Sequence, residues 1–403
     1  MHILMLSDVY FPRINGVSTS IQTFAQAFLN VGCRVSLIAP EYPDEHSAEF
    51  EIIRIRSRRL PFDPEDRLMS LREIKRLAPT LKAREIDLLH IQTPFVAHYA
   101  GVYLRRALGA KTVVSYHTYF EAYFEKYLPW APRGWLRSVA RRYSRTQCNE
   151  VDGVISPSRP MLERLREYGV TQQAAVIPTG LPAETFAPVE DRGFRARHAL
   201  ASDAFLLLYV GRVAHEKNID LLIDMFCAVS GQIEDAVLLI AGEGPALASL
   251  RRRAARQINA ERVRFIGYLD RTTELPECYQ ACDLFVFGSQ TETQGLVLLE
   301  AMANGLPVVS TASMGSLDVL SEGEGCQIVP ADPEVFAERV MSLHANEALR
   351  MTLSERALRY ARTWAAENKA REMLDFYDHV LSGAVAQAAQ ARALGAEPLE
   401  ASD

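Results

Sequence analysis

The sequence predicts an α/β protein with two domains, each built on a parallel β-sheet. The chain has 403 residues, more than a single hydrophobic core usually accommodates. Short apolar runs alternate with amphipathic stretches, which is the pattern of repeated βαβ units. The alternation is interrupted near residues 176–182, a segment rich in Pro and Gly, and then starts again. We therefore expect two sheets joined by a short connection.

The first domain is predicted over residues 1–180. Its strands are short apolar runs, as expected for strands that are buried on both faces of a sheet. These runs are 3–6, 35–39, 88–91, 112–116 and 154–156. The stretch 20–31 is predicted to be a helix, because Ile21, Phe24 and Phe28 recur on one face.

The second domain is predicted over residues 189–355 and repeats this pattern. Its strands are predicted at 206–210, 237–241, 263–266, 284–287 and 307–309, and its helices at 219–229, 246–257 and 296–303. A long helix is predicted at 354–381, and we expect its part from 360 to 381 to pack back on the first domain. The tail, residues 384–403, is rich in Ala, Gln and Glu and is predicted to be disordered. Both domains are thus Rossmann-like, and ligands are expected in a cleft where the C-terminal strand ends face each other.

Composition excludes several classes of protein. Apolar residues make up 48% of the chain and charged residues 23%, as in globular proteins that fold in water. The net charge of −6 argues against general nucleic-acid binding, although residues 101–150 hold nine Lys or Arg against three Asp or Glu. No apolar run reaches the roughly 18 residues of a membrane span. The strand-like start at Met1-His2-Ile3 has no basic leader, so we expect a cytoplasmic location. The six cysteines are scattered without a zinc-ligand spacing, so we expect neither a disulfide framework nor a bound metal.

The most informative segment is the loop that precedes the predicted helix 296–303. Glu292 lies in this loop, and Glu300 lies about one turn past Leu296. The backbone amides of Gln294, Gly295 and Leu296 suit a phosphate, because a helix N-terminus has unpaired N–H donors and a partial positive charge. A carboxylate on each side can accept hydrogen bonds from sugar hydroxyls. This pattern indicates a nucleotide-sugar site; the alternative is a capped helix with two solvated glutamates.

Two cations follow the strand predicted at 206–210. Arg212 and Lys217 stand in the segment Gly211-Arg212-Val213-Ala214-His215-Glu216-Lys217-Asn218. Arginine can bind phosphate oxygens through two N–H groups, and lysine adds a compact positive charge. Such a pair can stabilise a diphosphate leaving group. The alternative is an ordinary pair of surface cations.

Weaker signals follow other strands. Gly244, in Gly242-Glu243-Gly244-Pro245, opens a helix but fits neither GxGxxG nor a P-loop, and a plain turn explains it equally well. The turn formed by Gly267 and Tyr268 is suited to holding a nucleobase against its backbone. Gly16 has no side chain and lets backbone approach a ligand closely. His117 ends a strand, where it has either a ligand-binding or a structural role.

In this order, these segments resemble the retaining glycosyltransferases of family 4, which have the GT-B fold, over about residues 1–380. The resemblance is carried by Pro12…Asn15-Gly16, Gly211-Arg212…Lys217-Asn218, Gly242-Glu243-Gly244-Pro245 and Glu292…Glu300. It implies that Arg212 and Lys217 bind the donor diphosphate, that Glu292 bonds hydroxyls of the transferred sugar, and that Glu300 bonds the ribose. It also implies that amides near Gln294 to Leu296 and at Gly16 contact phosphate, with His117 beside the reacting sugar.

The resemblance also implies transfer with retention and without a bound metal or other cofactor, and the sequence contains no Asp-x-Asp motif. The leaving phosphate then takes the acceptor proton, while protein groups position the reactants and stabilise charge. Two departures from the family pattern bear on the donor sugar. Gln294 stands where many members have Phe, and Ser313-Met314-Gly315 where many have two glycines.

The acceptor is predicted from a basic segment. Apolar residues are predicted on one side of a helix and arginines alongside them: Trp135, Leu136, Val139 and Tyr143, with Arg133, Arg137, Arg141 and Arg145. Arginines beside aromatic residues suit an anionic membrane surface, and the alternative is a solvated basic helix. Separately, the run Tyr116-His117-Thr118-Tyr119…Tyr123…Tyr127, together with Thr291-Glu292-Thr293-Gln294-Gly295, is similar to diacylglycerol glycosyltransferases, which bind membranes peripherally. We therefore expect transfer of an α-linked hexose, glucose from a UDP-sugar, to diacylglycerol at the inner face of the cell membrane.

Three alternatives stay open. The first is the same enzyme class acting on phosphatidylinositol, a polyprenyl-linked or a soluble glycan acceptor. The second is a catalytically silent nucleotide-sugar or membrane-binding protein, which an intact set of Arg212, Lys217, Glu292 and Glu300 disfavours. The third is a two-domain binding protein of the periplasmic type, which the missing leader and the cationic loop disfavour.

Overall fold

A computed structural model describes residues 1–13, 15–43, 48–59, 67–117, 120, 132–290, 292, 294–313 and 315–393, without the side chains at 59, 133 and 384–393. The chain divides into two compact units. The first comprises Met1–Gly180 with Glu367–Asp403, and the second comprises Leu181–Ala366.

The first unit is built on a seven-stranded parallel sheet with the strand order β3-β2-β1-β6-β7-β8-β9. Its strands are β1 (His2–Leu6), β2 (Arg34–Pro40), β3 (Glu51–Ile55), β6 (Leu88–Ile91), β7 (Lys111–Ser115), β8 (Gly153–Ser156) and β9 (Gln173–Val176). The strands β4 (Ser57–Arg59) and β5 (Arg67–Met69) form a separate antiparallel pair. Every residue of β1 and β6 is buried, because helices cover a parallel sheet on both faces.

The helices of this unit follow the strands in the order that βαβ units require. They are α1 (Gly16–Asn30), α2 (Leu71–Arg76), α3 (Ala78–Lys82), α4 (Val96–Leu108), α5 (Arg133–Asn149) and α6 (Arg159–Glu167). Helix α1 begins earlier than the sequence predicts, because the Asn15 side chain accepts a hydrogen bond from the Ser18 amide and caps the first turn. Gly16 is therefore the first helical residue rather than part of a loop.

The second unit is built on a six-stranded parallel sheet with the order β12-β11-β10-β13-β14-β15. Its strands are β10 (Phe205–Val210), β11 (Ala236–Ala241), β12 (Val263–Gly267), β13 (Leu284–Phe287), β14 (Val308–Ser310) and β15 (Cys326–Ile328). Its helices are α7 (Phe194–Arg197), α8 (Ile219–Ser230), α9 (Leu247–Ala254), α10 (Glu274–Ala281), α11 (Leu296–Ala303), α12 (Ser316–Val319), α13 (Pro333–Ala345) and α14 (Glu347–Thr363). The predicted fold class is confirmed.

The predicted single helix at 354–381 is wrong. Helix α14 ends at Thr363, and a separate helix, α15 (Ala366–Ala393), follows. Between them the Leu181 amide donates to the Trp364 carbonyl and the Ala366 amide to the Leu181 carbonyl, each at 2.7 Å. At residues 364 and 366 the backbone thus bonds to Leu181 instead of continuing the helical hydrogen-bond pattern. This pairing separates α14 from α15.

Helix α15 packs against the first sheet. The Tyr377 hydroxyl lies 2.6 Å from His90 Nδ1, and the Tyr377 ring packs 5.8 Å from the ring of Phe28. A Cβ atom on Gly153 would lie 2.9 Å from Val380, so a glycine in β8 permits this approach. The tail that the sequence predicts to be disordered begins within α15, and residues 394–403 lie outside the described part of the chain.

Candidate active site

The strand ends of the second sheet bring the predicted donor-binding segments to one edge. Val210 pairs with Ala241, and Ala241 pairs with Gly267, so β10, β11 and β12 end in register. The segments after these strands begin at Gly211, Gly242 and Tyr268. Because the strands are parallel, their C-terminal ends share one edge of the sheet, which is where open α/β sheets bind ligands.

Lys217 and Glu292 form an ion pair at this edge. The Lys217 Nζ atom lies 2.5 Å from Glu292 Oε1, and the two side chains are only 21% and 14% exposed. Lys217 ends a short 3₁₀ turn, and the following Asn218 fixes that turn by donating to the Gly288 carbonyl at 3.2 Å. The pair joins a lysine predicted to bind phosphate to a carboxylate predicted to bind sugar hydroxyls. The two charges neutralise each other next to helix α11.

Arg212 is placed differently from Lys217. Its side chain is 55% exposed and lies 3.8 Å from Glu216, four residues further on. An exposed pair of this kind is held weakly, since water screens the charges and the long side chains lose freedom on pairing. The guanidinium is therefore easily turned toward an anionic ligand.

Helix α11 starts as the sequence predicts. Gly295 has φ 85° and precedes the first helical residue, Leu296. A side chain at this φ would be strained, which explains the glycine. The Gly315 amide donates to the Glu292 carbonyl at 2.9 Å and anchors the preceding loop. Gln294 is buried. The spacing of Leu296, Leu299, Met302 and Ala303 predicts one apolar stripe on this helix. That stripe is too narrow, because the helix is also buried at Leu298 and Ala301, whereas Leu296 is only partly buried.

Glu300 is held by two residues that the sequence analysis did not identify. Arg271 Nη2 donates to Glu300 Oε1 at 2.6 Å, and the buried Tyr279 hydroxyl donates to Oε2 at 3.3 Å. Arg271 lies in the loop after β12, and Tyr279 lies on α10. Each carboxylate oxygen has a second lone pair for a ligand hydroxyl. Arg271 follows a predicted strand just as Arg212 does, and that position was the signal available in the sequence.

The glycines after β11 have a structural reason. Gly242 and Gly244 have φ values of 130° and 157°, and a Cβ on either would overlap the carbonyl oxygen of Gly211 or Val213. The Val213 amide also donates to the Glu243 carbonyl at 2.8 Å. Close packing of two loops accounts for Gly244 without a ligand, so its predicted donor contact stays a prediction.

The turn at Gly267 and Tyr268 is open. A Cβ on Gly267 would meet no atom within 4 Å, and its φ of 76° favours glycine. The Tyr268 side chain is 62% exposed. An uncovered aromatic ring beside open backbone leaves room for a planar ligand group.

The first unit presents its own residues at the strand ends. Leu6 pairs with Ile91, and Ile91 pairs with Val114, so β1, β6 and β7 end together. Asp8, after β1, is buried and accepts from the Thr93 hydroxyl at 2.7 Å and the Ala97 amide at 3.1 Å. Burial raises the pKa of the Asp8 carboxyl to about 6. At Gly16 a Cβ would meet nothing within 4 Å, so the first turn of α1 is open to a ligand.

His117 follows β7 and contacts Gln92, which follows β6. The His117 Nε2 atom lies 3.1 Å from Gln92 Oε1. Burial lowers the pKa of His117 to about 4, so the ring is neutral at physiological pH. Residues 118 and 119 lie outside the described residues, and with them the predicted acceptor residue Tyr119.

The predicted apolar side of the basic helix α5 is partly wrong. Leu136 and Tyr143 face inward, and the Tyr143 hydroxyl donates to the Pro94 carbonyl at 2.8 Å. Trp135, 58% exposed, and Val139 instead face outward. The outward surface also carries exposed arginines, namely Arg137, Arg141, Arg142 and Arg145. Because the apolar residues 135 and 136 are adjacent, the sequence does not show which of them lies on the buried face. The prediction therefore placed residues from the buried and the exposed face on one side.

Within the described residues, no helix is long and apolar enough to cross a membrane. That same part of the chain contains no group of three or more His, Cys, Asp or Glu arranged to hold a metal ion. The six cysteines are all free thiols.

Comparison with known proteins identifies the class. Residues 14–185 match the family described as "Glycosyltransferase Family 4", and residues 191–360 match the family described as "Glycosyl transferases group 1". Solved structures share the fold: Anabaena HepE in complex with UDP has a TM-score of 0.73 at 16% identity, covering 94% of this chain and 100% of that one. Sucrose-phosphate synthase from Thermosynechococcus elongatus has a TM-score of 0.72 at 23% identity, covering 95% and 99%. The matched families and the shared fold identify the chain as a GT-B glycosyltransferase.

The chain belongs to glycosyltransferase family 4. It is similar to the alpha-monoglucosyldiacylglycerol synthase of Streptococcus pneumoniae, with 29% identity over 95% of this chain and 87% of that protein. It is also similar to a GDP-mannose-dependent alpha-mannosyltransferase of Mycobacterium tuberculosis, with 26% identity over 96% and 99% of the two chains. The name of the first relative refers to glucose and that of the second to mannose.

Proposed function

We propose that this glycosyltransferase moves glucose from UDP-glucose to diacylglycerol, with retention of the anomeric configuration, and so makes an α-glycolipid. The observation that carries the donor half of the proposal is the Lys217–Glu292 ion pair beside the N-terminus of α11. A lysine, a carboxylate and the amides at a helix N-terminus supply the three kinds of group that a nucleotide-sugar requires. The acceptor half rests on the similarity to the diacylglycerol enzyme of S. pneumoniae.

The proposed chemistry starts with an exchange of partners. When the donor binds, Lys217 leaves Glu292 and pairs with the diphosphate, and Glu292 then accepts hydrogen bonds from hydroxyls of the sugar. Arg212, which is held weakly, turns to the same phosphates. As the glycosidic bond breaks, negative charge grows on the leaving diphosphate, where these cations and the α11 amides stabilise it. The leaving phosphate accepts the proton of the acceptor hydroxyl, and no resident metal is needed.

Glu300 is proposed to bind the ribose. Arg271 and Tyr279 each engage one of its oxygens, which fixes the carboxylate plane. Tyr268 and Gly267 are proposed to contact the nucleobase, and the open first turn at Gly16 to contact phosphate.

Helix α5 is proposed to bind the anionic inner surface of the cell membrane. Trp135 and Val139 are exposed together on a face that also carries arginines, and each cation contributes about 1 kcal/mol near an anionic bilayer. Reversing the charge at Arg137 and Arg141 should therefore lower the partition coefficient at least tenfold, measured by sedimentation with phosphatidylglycerol vesicles.

A matched control exists on an exposed basic helix of the second unit. Reversing Arg252, in α9, and Arg256, just beyond it, makes the same charge change at exposed positions. This control should sediment like the wild type. Equal loss in both double variants would show that net charge, rather than α5, governs vesicle binding.

The proposed reaction is tested with purified protein, diacylglycerol in anionic vesicles, and each of UDP-glucose, UDP-galactose, UDP-glucuronate and GDP-mannose. Mass spectrometry should detect a hexosyl-diacylglycerol from UDP-glucose. Free sugar and nucleotide without glycolipid would contradict the acceptor, and no turnover of any donor would favour a silent binding protein.

A second candidate is transfer of mannose from GDP-mannose to phosphatidylinositol-type acceptors. The similarity to GDP-mannose-dependent mannosyltransferases favours it, including a phosphatidylinositol dimannoside mannosyltransferase of M. tuberculosis at 25% identity. Adding phosphatidylinositol to the vesicles separates the two candidates.

A further inference from the structure

We infer that Gln92 is a positioning residue that fixes the tautomer of His117, so that the ring presents Nδ1 to the substrate as a hydrogen-bond acceptor. The inference rests on the proposed function and on the place of His117 beside the sugar, which the family resemblance implies. Its structural part, the tautomer, does not depend on that function.

The tautomer follows from the contact between the two side chains. Gln92 Oε1 lies 3.1 Å from His117 Nε2, and an amide oxygen can only accept a hydrogen bond. As the structure orients the Gln92 amide, its oxygen faces the ring; Nε2 then carries the proton, and in a neutral imidazole this leaves Nδ1 unprotonated. Among the described residues, Nδ1 has no hydrogen-bond partner.

Gln92 is itself held in place. The residue is 3% exposed, and its backbone N–H donates to the Leu6 carbonyl at 2.8 Å just after β6. Since β6 and β7 are neighbours in the sheet, Gln92 and His117 are brought together by strand register. A buried amide side chain directly after a sheet strand is a rigid support for a ring that must keep one orientation.

The surroundings of His117 keep the ring neutral. Burial lowers its pKa to about 4. The described residues that line a small cavity beside the ring come from α1, β7, β8, α15 and the segment after β9, and they carry no charge; they include Ser20, Tyr116, Ile155, Thr179 and Met373. His90, the nearby histidine on β6, is fully buried and bonded to Ser115 and Tyr377, and burial lowers its pKa to about 3.

The consequence for the substrate is chemical. A neutral ring with a free Nδ1 accepts a hydrogen bond from a hydroxyl but repels a carboxylate. His117 therefore selects a sugar that presents a hydroxyl at this point, and it neither donates a proton nor supplies a positive charge at neutral pH.

Gln92→Glu turns the support into a pH-dependent one. With one proton on the pair, Nε2–H donates to the carboxylate and Nδ1 stays free. With a second proton, the pair is either an imidazolium beside a carboxylate or a neutral acid donating to Nε2, and in both forms Nδ1 carries a proton. A carboxylate at this distance raises the pKa of a histidine by roughly 1–3 units, so Nδ1 should gain its proton at a correspondingly higher pH.

The first readout is the ¹⁵N–¹H long-range spectrum of the histidine rings, titrated with pH and assigned with His117→Gln. Wild-type His117 should show the Nε2–H form at neutral pH, and Gln92→Glu should add a proton to Nδ1 at a pH at least one unit higher than in the wild type. An Nδ1–H form in the wild type would overturn the proposal, even if Gln92→Glu does not fold.

The second readout is the pH dependence of kcat. Gln92→Glu should work nearly as well as the wild type at high pH and lose at least tenfold as Nδ1 is protonated. A structural defect would lower kcat at every pH instead and would overturn the positioning role. Gln232→Glu, which makes the same charge change at an exposed site, should follow the wild-type profile. If no transfer occurs even in the wild type, the proposed function fails while the tautomer result still stands.

Discussion

Glu292→Gln should bind UDP more tightly than the wild type while losing most of its turnover. In the free protein Lys217 Nζ lies 2.5 Å from Glu292, and both side chains are largely buried. The Lys217–Glu292 ion pair must therefore break before Lys217 can bind the diphosphate of UDP. An amide of the same shape accepts a hydrogen bond but holds the ammonium far less strongly.

The size of the effect follows from the pair. Two unit charges about 4 Å apart interact by about 4 kcal/mol at an effective dielectric of 20, but solvent at a partly exposed pair and desolvation reduce the net value to about 1 kcal/mol. That corresponds to roughly fivefold tighter binding of UDP. Turnover should fall by about 10²–10³, as expected when one charged contact to the transition state is lost.

Isothermal titration calorimetry with UDP measures the affinity, and Glu300→Gln is the matched control. It is the same substitution in the same unit, also at a carboxylate paired with a cation, Arg271. Because Glu300 is proposed to bind the ribose, its variant should bind UDP more weakly. An unchanged or weaker affinity for UDP in Glu292→Gln would refute the exchange of partners. Tighter UDP binding in both variants would show that loss of a negative charge in this unit, rather than release of Lys217, raises the affinity.

Four further results are expected. Lys217→Ala should weaken UDP binding by about tenfold, since it removes a charge-assisted bond to phosphate; unchanged affinity by calorimetry would take Lys217 out of the site. Tyr279→Phe should weaken UDP binding two- to threefold, about 0.5 kcal/mol, because Glu300 loses one of its two supports. EDTA should leave glycolipid synthesis intact, and a strict metal requirement would contradict the proposed mechanism. Asp8 has a folded pKa of about 6 against 3.8 unfolded, so the native state binds more protons between these values and stability falls as pH rises through them. Between pH 4 and pH 7, the free energy of unfolding of Asp8→Asn, measured with urea, should therefore rise relative to that of the wild type by up to about 3 kcal/mol. A difference that does not change with pH would contradict a buried carboxyl with a raised pKa.

The sequence predicted the central parts of both sheets well. Interior strands such as β6, β11 and β13 are buried along their whole length and are therefore continuous apolar runs. Three of the four edge strands of these two sheets, β3, β9 and β15, were missed, whereas the edge strand β12 was predicted. In β3 the charged residues Glu51 and Arg54 interrupt the apolar pattern, and β9 and β15 contain glutamine, because edge strands face water on one side.

The candidate site was predicted where the signal is local. Glu292, Gly295 and Glu300 lie within one loop and helix, so helical periodicity and a helix-starting glycine were enough to indicate them. Their partners could not be found in this way. Arg271 and Gln92 contact Glu300 and His117 across 29 and 25 residues, and those contacts depend on strand register. No single-sequence pattern encodes that register.

Retaining transfer of glucose to diacylglycerol is tested by the anomeric configuration of the glycolipid formed from UDP-glucose and diacylglycerol in anionic vesicles, determined by ¹H NMR. Glu292→Gln serves as the low-activity control. We expect an α-glucosyl-diacylglycerol from the wild type and a strongly reduced amount from the variant. A β-linked product would contradict retention, and the absence of any glucolipid would contradict the proposed acceptor.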